Sequence, residues 1–222
     1  MDEIELSYDI PSQCADKLLT AKVDIGLIPI VETLRMPEHY IISDFCIGSN
    51  NAVRTVALKS EKPLDEISSI YLDSHSRTSV VLAKILAKHY WKIKPQWIDF
   101  LGNISDFPLD GNSAAVVIGD KAFEMQLPYT YDLATEWRKF TGLPFVFACW
   151  VTNKQIDSDF VHRFNKALSC VTDNMTDFAE YYKNFAPEGV DLLEYWTNNI
   201  SYRLTAEKRE GLKLFLQYAS SF

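Results

Sequence analysis

The residues best suited to chemistry form a short polar stretch, Asp73–Ser79, in which hydroxyl groups surround a single guanidinium. An apolar run, Ile70–Leu72, precedes it, and the apolar residues after it recur at helical spacing, which predicts a strand, a turn and a helix. Backbone N–H groups at a helix start, hydroxyls and a positive charge together suit a carboxylate or a phosphate. The alternative is that Ser76 or Thr78 only caps the helix while Arg77 points to water.

Two further polar turns, Asn50–Asn51 and Gly119–Asp120, follow other predicted strands. In α/β folds ligands bind beyond the carboxyl ends of the strands, so we expect these turns to lie near Asp73–Ser79 and at least one of them to contact a ligand. Asp120 either orients a ligand hydroxyl or caps the next turn. His75 could titrate near neutrality, but a single loop histidine is more often solvated than catalytic.

Strand and helix patterns alternate along most of the chain, which predicts an α/β fold with parallel or mixed sheets. Strand patterns cover residues 4–8, 23–30, 40–47, 53–59, 70–72, 95–100, 113–118 and 143–151. Helical patterns cover residues 11–19, 80–90, 131–140, 159–175, 176–185, 190–198 and 205–219, and Thr205 is placed to cap the last helix. An aromatic group is expected to be core rather than a stacking platform for a ligand: Trp137, Phe140, Phe145, Phe147 and Trp150.

Composition excludes several classes of protein. The 222-residue chain is 47% hydrophobic and has a formal net charge of -8, with no Lys/Arg run, which argues against a nucleic-acid binder. No apolar run approaches the roughly 20 residues of a membrane span, and no export leader is recognised. We therefore expect a cytoplasmic protein that acts on a small molecule, without nucleic-acid or membrane partners.

The cysteines give no sign of a metal site. The four are far apart, form no CxxC pair and have no histidine beside them at metal-ligand spacing. We expect buried free thiols in a reducing compartment. The residues concerned are Cys14, Cys46, Cys149 and Cys170.

Five motifs in order along the chain make the sequence resemble a known family. They are VDIGLIPIVE (23–32), SDFCIGSNNAVRTVAL (43–58), LDSHSRTSVVL (72–82), VIGDKA (117–122) and YDLATEWRKFTGLPFVFACW (131–150). Together they resemble the chorismate dehydratases of the futalosine pathway of menaquinone biosynthesis. The resemblance runs across nearly the whole chain, and SRTS with TGLPFVFA-W is its most specific part.

The resemblance implies a type II periplasmic-binding-protein-like fold, with two α/β lobes and a cleft between them. Residues 1–62 and 151–222 are expected to form the first lobe, and residues 63–150 the second. The implied enzyme is a monomer or homodimer that converts chorismate to 3-[(1-carboxyvinyl)oxy]benzoate and water, without a metal or an organic cofactor. The enolpyruvyl carboxylate of the substrate is implied as the base.

The resemblance also implies roles for individual residues. Thr55 is expected to be the catalytic residue that hydrogen-bonds the substrate, although relatives usually carry serine there. The residues expected to bind substrate are Asn51, Ser76, Arg77, Thr78, Ser79, Asp120 and Thr141, with the four from the helix start holding a carboxylate.

One departure from the family concerns the beginning of the chain. Members begin with a strand and an SYLN-type turn, whose asparagine lies in the cleft, ahead of the segment that matches residues 3–9 here. We therefore expect an N-terminally truncated form of the fold, with weak or absent dehydratase activity. Two alternatives stay open: the related 1,4-dihydroxy-6-naphthoate synthase, and a solute-binding protein for a small carboxylate.

Overall fold

The computed structural model describes residues 4–73, 76–100, 102–108 and 110–222. These residues form nine strands: β1 (Ile25–Pro29), β2 (Tyr40–Ser49), β3 (Val56–Ser60), β4 (Ser69–Asp73), β5 (Gln96–Phe100), β6 (Ser113–Ile118), β7 (Tyr129–Asp132), β8 (Phe145–Thr152) and β9 (Ser201–Arg203). The α-helices are α1 (Pro11–Leu19), α2 (Arg77–Leu86), α3 (Lys121–Glu124), α4 (Leu133–Thr141), α5 (Ser158–Asp173), α6 (Met175–Tyr182), α7 (Leu192–Glu194) and α8 (Ala206–Ala219).

Shorter helical turns join several of these elements. A 3-10 helix, Ile30–Arg35, follows β1, and two more cover Leu64–Glu66 and Ile104–Asp106. A fourth 3-10 turn, Lys183–Phe185, follows α6. The π-helical turns Ala87–Trp91 and Tyr195–Asn199 continue α2 and α7 respectively.

The strands form two sheets, which confirms the predicted α/β fold, but the expectation of parallel or mixed sheets is wrong for the first sheet, which is antiparallel throughout. The first sheet has the order β1-β8-β2-β9, and each neighbouring pair is antiparallel, with Leu27 opposite Trp150. The second sheet has the order β5-β4-β6-β3-β7 and is mixed. There β4 runs parallel to β5 and β6, while β3 runs antiparallel to β6 and β7.

Sheet membership differs from the predicted lobe boundaries at two strands. β3 was expected in the first lobe, but it pairs with β6 and β7 of the second sheet. Most of β8 was expected in the second lobe, but it pairs with β1 and β2 of the first sheet. The chain therefore passes between the sheets before residue 56 and again before residue 145, several residues earlier than expected at both places.

Local sequence signals explain where the main helices begin. Pro11 occupies the first turn of α1, where its missing N–H costs no hydrogen bond. Asp132 caps α4 by accepting the N–H of Thr135. Thr205 caps α8 by accepting the N–H of Lys208, and of these two caps only this one was predicted. Residues 4–10, in contrast, have no regular secondary structure, so the strand predicted over residues 4–8 is wrong.

Four of the five aromatic residues belong to the larger core, as expected, whereas Trp150 does not. Trp137 and Phe145 are buried and meet edge to face at 5.5 Å between ring centroids, and Phe215 of α8 contacts both rings. Edge-to-face packing of this kind adds to the free energy gained by burial. Phe147 and Trp150 differ from the others because both also line a cavity.

Candidate functional site

A large cavity collects residues from both sheets. Its volume is about 1050 Å³. The lining includes the start of α2, the residues around Thr55 before β3, the turn at Gly119 after β6, and Tyr195 in the C-terminal part of the chain. Two of the three predicted polar turns, Asp73–Ser79 and Gly119–Asp120, therefore contribute residues to one cavity.

The start of α2 presents hydrogen-bond donors to this cavity. The first intrahelical bond runs from the N–H of Val80 to the carbonyl of Ser76, so the N–H groups of residues 77–79 precede the helical pattern. Ser76 and Ser79 are buried and line the cavity, and within the described residues their hydroxyls have no protein partner. Hydroxyl and N–H donors at the positive end of a helix dipole suit a carboxylate.

Thr78 has a structural role. Its hydroxyl donates to the carbonyl of Phe147 at 3.1 Å and accepts the N–H of Val31 at 3.4 Å. These bonds tie the start of α2 to β8 and to the 3-10 helix that follows β1. Among the three hydroxyl residues expected to hold substrate here, Thr78 is therefore the one whose hydroxyl already bonds to the protein backbone.

Arg77 does not point to water, so that alternative is wrong. Its guanidinium binds both carboxylate oxygens of Asp16, at 2.9 and 3.0 Å, and one oxygen of Glu32 at 2.9 Å. Glu32 also accepts from Arg35 at 2.6 Å. The hydrogen bond from Arg77 lowers the pKa of Asp16. Arg77 lines the cavity, but with its charge already balanced by two carboxylates.

Thr55 lies in the cavity beside Tyr195, a residue that no sequence motif singles out. The Thr55 hydroxyl oxygen is 2.7 Å from the phenolic oxygen of Tyr195, and both residues line the cavity. Burial raises the pKa of Tyr195, an effect that the hydrogen bond to Thr55 opposes. Tyr195 is 140 residues from Thr55 in a predicted helix, so only the folded chain shows the pair.

The loop that carries Thr55 is held by Asp132. One carboxylate oxygen of Asp132 accepts the N–H groups of Val53 and Arg54 at 2.9 and 2.7 Å, while its other oxygen caps α4. The carbonyl of Thr55 also accepts the N–H of Gly119 at 2.9 Å, and Gly119 has a left-handed φ of +66°. Asp132 is therefore a positioning residue that sequence reasoning missed.

Three predicted substrate contacts are not among the residues that line the cavity. Asn51 is exposed, and its backbone interacts with the hydroxyl of Ser49. Asp120 is exposed at the start of α3, close enough to Tyr195 for its charge to raise the pKa of that phenol. The hydroxyl of Thr141 donates to the carbonyl of Trp137 and accepts an N–H at the end of α4. Their substrate contacts stay predictions.

Other residues considered for chemistry have simpler settings. His75 lies outside the described residues. The four cysteines are free, but only Cys46 and Cys149 are buried, whereas Cys14 is partly exposed and Cys170 is exposed. Among the described residues no group of three or more His, Cys, Asp or Glu side chains is arranged to hold a metal ion. In the same part of the chain, no helix combines the length and hydropathy that a membrane crossing requires.

The two sheets and their shared cavity define a periplasmic-binding-protein-like fold. A protein from Archaeoglobus fulgidus has a TM-score of 0.67 at 12% identity, and the match covers 96% of this chain and 84% of that one. An ABC transporter from Parabacteroides distasonis has a TM-score of 0.64 at 15% identity, over 97% of this chain and 80% of its own. These likenesses show the fold alone.

The sequence comparisons identify the family. Residues 1–221 match the family model described as menaquinone biosynthesis, and the chain belongs to that family. The chorismate dehydratase of Campylobacter jejuni is 26% identical over 219 residues, covering 96% of this chain and 83% of the relative. The chorismate dehydratase of Thermus thermophilus is 23% identical over 239 residues, covering 98% of this chain and 87% of the relative. The family resemblance seen in the five motifs is confirmed.

Proposed function

We propose that this protein binds chorismate in the cavity and removes water from it to give 3-[(1-carboxyvinyl)oxy]benzoate. The observation that carries the proposal is the meeting, in one cavity, of the serine hydroxyls at the start of α2 with the Thr55–Tyr195 pair. Membership of the menaquinone biosynthesis family and the names of the two relatives support the same reaction.

The reaction needs anion binding and the movement of a proton and a hydroxyl. A ring C–H proton and the hydroxyl on the neighbouring ring carbon leave together as water, and the ring becomes aromatic. Because this elimination is redox-neutral, it requires no electron carrier. The proposed base is the enolpyruvyl carboxylate of chorismate itself, so the protein has to hold the substrate in the reactive conformation.

Each part of the site has a task in this scheme. Ser76, Ser79 and the free N–H groups of α2 bind a ring or side-chain carboxylate. Tyr195 donates to the oxygen of Thr55, and the Thr55 proton exchanges its long, 3.4 Å hydrogen bond with the carbonyl of Val53 for one with the departing hydroxyl. Asp132 keeps the Thr55 loop in place through its bonds to two backbone N–H groups.

The test separates binding from turnover. Purified protein is incubated with chorismate, and mass spectrometry follows the loss of water while thermal melting reports binding, since a ligand that binds the folded state raises its melting temperature. Thr55→Val, which keeps the shape and removes the hydroxyl, is expected to lower turnover by about 10- to 100-fold. Thr33→Val is the matched control, because Thr33 is equally buried but bonds only the carbonyl of Ile30.

The outcomes discriminate between the candidate functions. Turnover that falls with Thr55→Val but not with Thr33→Val supports the dehydratase. A melting shift with another small carboxylate, but none with chorismate or its dehydrated product, contradicts it and favours a carboxylate-binding protein. Equal turnover by both variants contradicts the role given to Thr55.

A further inference from the structure

The guanidinium of Arg77 lies between two carboxylates that differ sharply in burial. The side chain of Asp16 is 53% exposed, whereas that of Glu32 is 4% exposed. Arg77 itself is 27% exposed and lines the cavity. One partner of this arginine is therefore within reach of solvent and the other is enclosed by protein.

The two carboxylates differ in how easily they can leave the arginine. Asp16 can exchange its ion pair for water at little cost, because exposed pairs contribute little to stability. Glu32 would be left as a buried charge with one fewer partner, which is strongly unfavourable. Arg35 reinforces this difference, since it is 2.6 Å from Glu32 and only at the limit of contact, 4.0 Å, with Asp16.

We propose that Asp16 is a displaceable counter-ion of Arg77 that sets the affinity of the cavity for carboxylate ligands. An entering carboxylate replaces Asp16 on the guanidinium, while Glu32 remains bound and keeps the arginine in place. The planar guanidinium favours such an exchange, because it binds any carboxylate through two parallel hydrogen bonds. The inference rests on the proposed function only in taking a carboxylate as the ligand, and it does not depend on turnover.

Asp16→Asn tests the inference by weakening the competitor while keeping its shape. Isothermal titration with chorismate, and separately with benzoate, is expected to show two- to fivefold tighter binding to Asp16→Asn than to the natural protein. A tenfold change in affinity corresponds to roughly 1.4 kcal/mol, so this gain is of the size that an exposed ion pair contributes. Asp16→Glu, which keeps the charge, is expected to stay within about twofold of the natural protein. A gain in affinity is not expected from a substitution that merely damages the fold.

The matched control removes one negative charge from a residue that lines the cavity, as Arg77 does and Asp16 does not. Glu5 lines the same cavity and has no ion-pair partner among the described residues. Glu5→Gln is therefore expected to leave the affinity within about 1.5-fold of the natural value, since no cation is released. An equal gain in Glu5→Gln and Asp16→Asn would attribute the effect to overall charge and overturn the inference.

The remaining outcomes separate this inference from the proposed reaction. Unchanged or weaker binding by Asp16→Asn overturns the inference, even where the natural protein turns over chorismate. Tighter benzoate binding by Asp16→Asn, in a protein that neither binds nor dehydrates chorismate, supports the inference and contradicts the proposed function. Failure of all variants to bind either carboxylate overturns both.

Discussion

Replacing Glu32 with glutamine should destabilise the fold, because this substitution removes the enclosed partner of Arg77. The carboxylate is 4% exposed and accepts from Arg77 at 2.9 Å and from Arg35 at 2.6 Å. Glutamine keeps the size and one acceptor oxygen but loses the charge. The start of α2 then loses its firmest electrostatic link to the 3-10 helix that follows β1.

The expected size of the effect follows from the burial of each partner. The bond to Arg77 is a charge-assisted hydrogen bond in a mostly buried setting, a class that contributes about 1.5–3 kcal/mol. The bond to Arg35 adds at most about 1 kcal/mol, because Arg35 is 59% exposed and solvent screens the pair. Relief from desolvating a carboxylate offsets part of this loss, which leaves a net cost of about 2 kcal/mol.

Thermal unfolding provides the measurement. With an unfolding entropy of about 2.1 cal/mol/K per residue, a chain of 222 residues should lose roughly 4 °C in melting temperature for 2 kcal/mol. Asp16→Asn is the internal comparison, since it removes the exposed partner of the same arginine and should cost less than about 2 °C. If the two substitutions lower the melting temperature equally, burial does not distinguish the partners and the reasoning is wrong.

Three further predictions concern other parts of the chain. Gly211→Ala should lower the free energy of unfolding in urea by about 1–3 kcal/mol, because the new Cβ would lie 2.3 Å from the carbonyl oxygen of Pro144. The cost of this overlap exceeds the gain in helix propensity of about 1 kcal/mol, so unchanged stability would contradict the prediction. Thr205→Ala should cost about 1 kcal/mol in the same assay, because the hydroxyl accepts a backbone N–H at the start of α8, and an increase in stability would count against that cap. Burial raises the pKa of the Cys149 thiol, so a thiol reagent at pH 8 should label the exposed Cys170 first and Cys149 only after unfolding. Mass spectrometry of peptides measures the two labelling rates, and equal rates would show that Cys149 is accessible in the folded protein.

The sequence predicted those elements whose signals are local. The helices α1 and α8 have a proline and a threonine at their starts and apolar residues at helical spacing, and both were found. The short strand β7, Tyr129–Asp132, was missed because it runs directly into α4, and the helical pattern predicted over residues 131–140 takes in its last two residues. The predicted strand over residues 4–8 failed for the opposite reason, since alternation alone cannot supply a partner strand.

Sheet membership depends on contacts that no local pattern contains. β3 and β8 each lie beside a predicted change of lobe, and their hydrogen-bond partners are distant in sequence: Leu58 pairs with Val116, and Ile28 pairs with Cys149. Apolar composition showed that both segments are strands but could not say which sheet each would join. The family resemblance supplied the two-lobed fold, yet boundaries carried over from it were several residues too late.

The same limit applies to the site, where residue types were easier to predict than their partners. Ser76 and Ser79 lie in one cavity, as the pattern of polar turns at strand ends suggested, and Thr55, which the family resemblance had pointed to, lies there as well. Tyr195 was missed because its only distinguishing feature is a hydrogen bond across 140 residues of sequence. The partners of Arg77 are likewise 61 and 45 residues away, so its charge was visible in the sequence but its neutralisation was not.

That neutralisation changes how an anion should be recognised at the start of α2. Arg77 and Arg35 face Asp16 and Glu32, so the formal charges of the four side chains cancel and the cluster offers little net attraction to an approaching carboxylate. The first contacts must then come from groups whose donors are free, namely the backbone N–H groups of α2 and the hydroxyls of Ser76 and Ser79. Arginine can strengthen the complex only after Asp16 has moved, which makes binding of a carboxylate depend on the loss of one exposed ion pair.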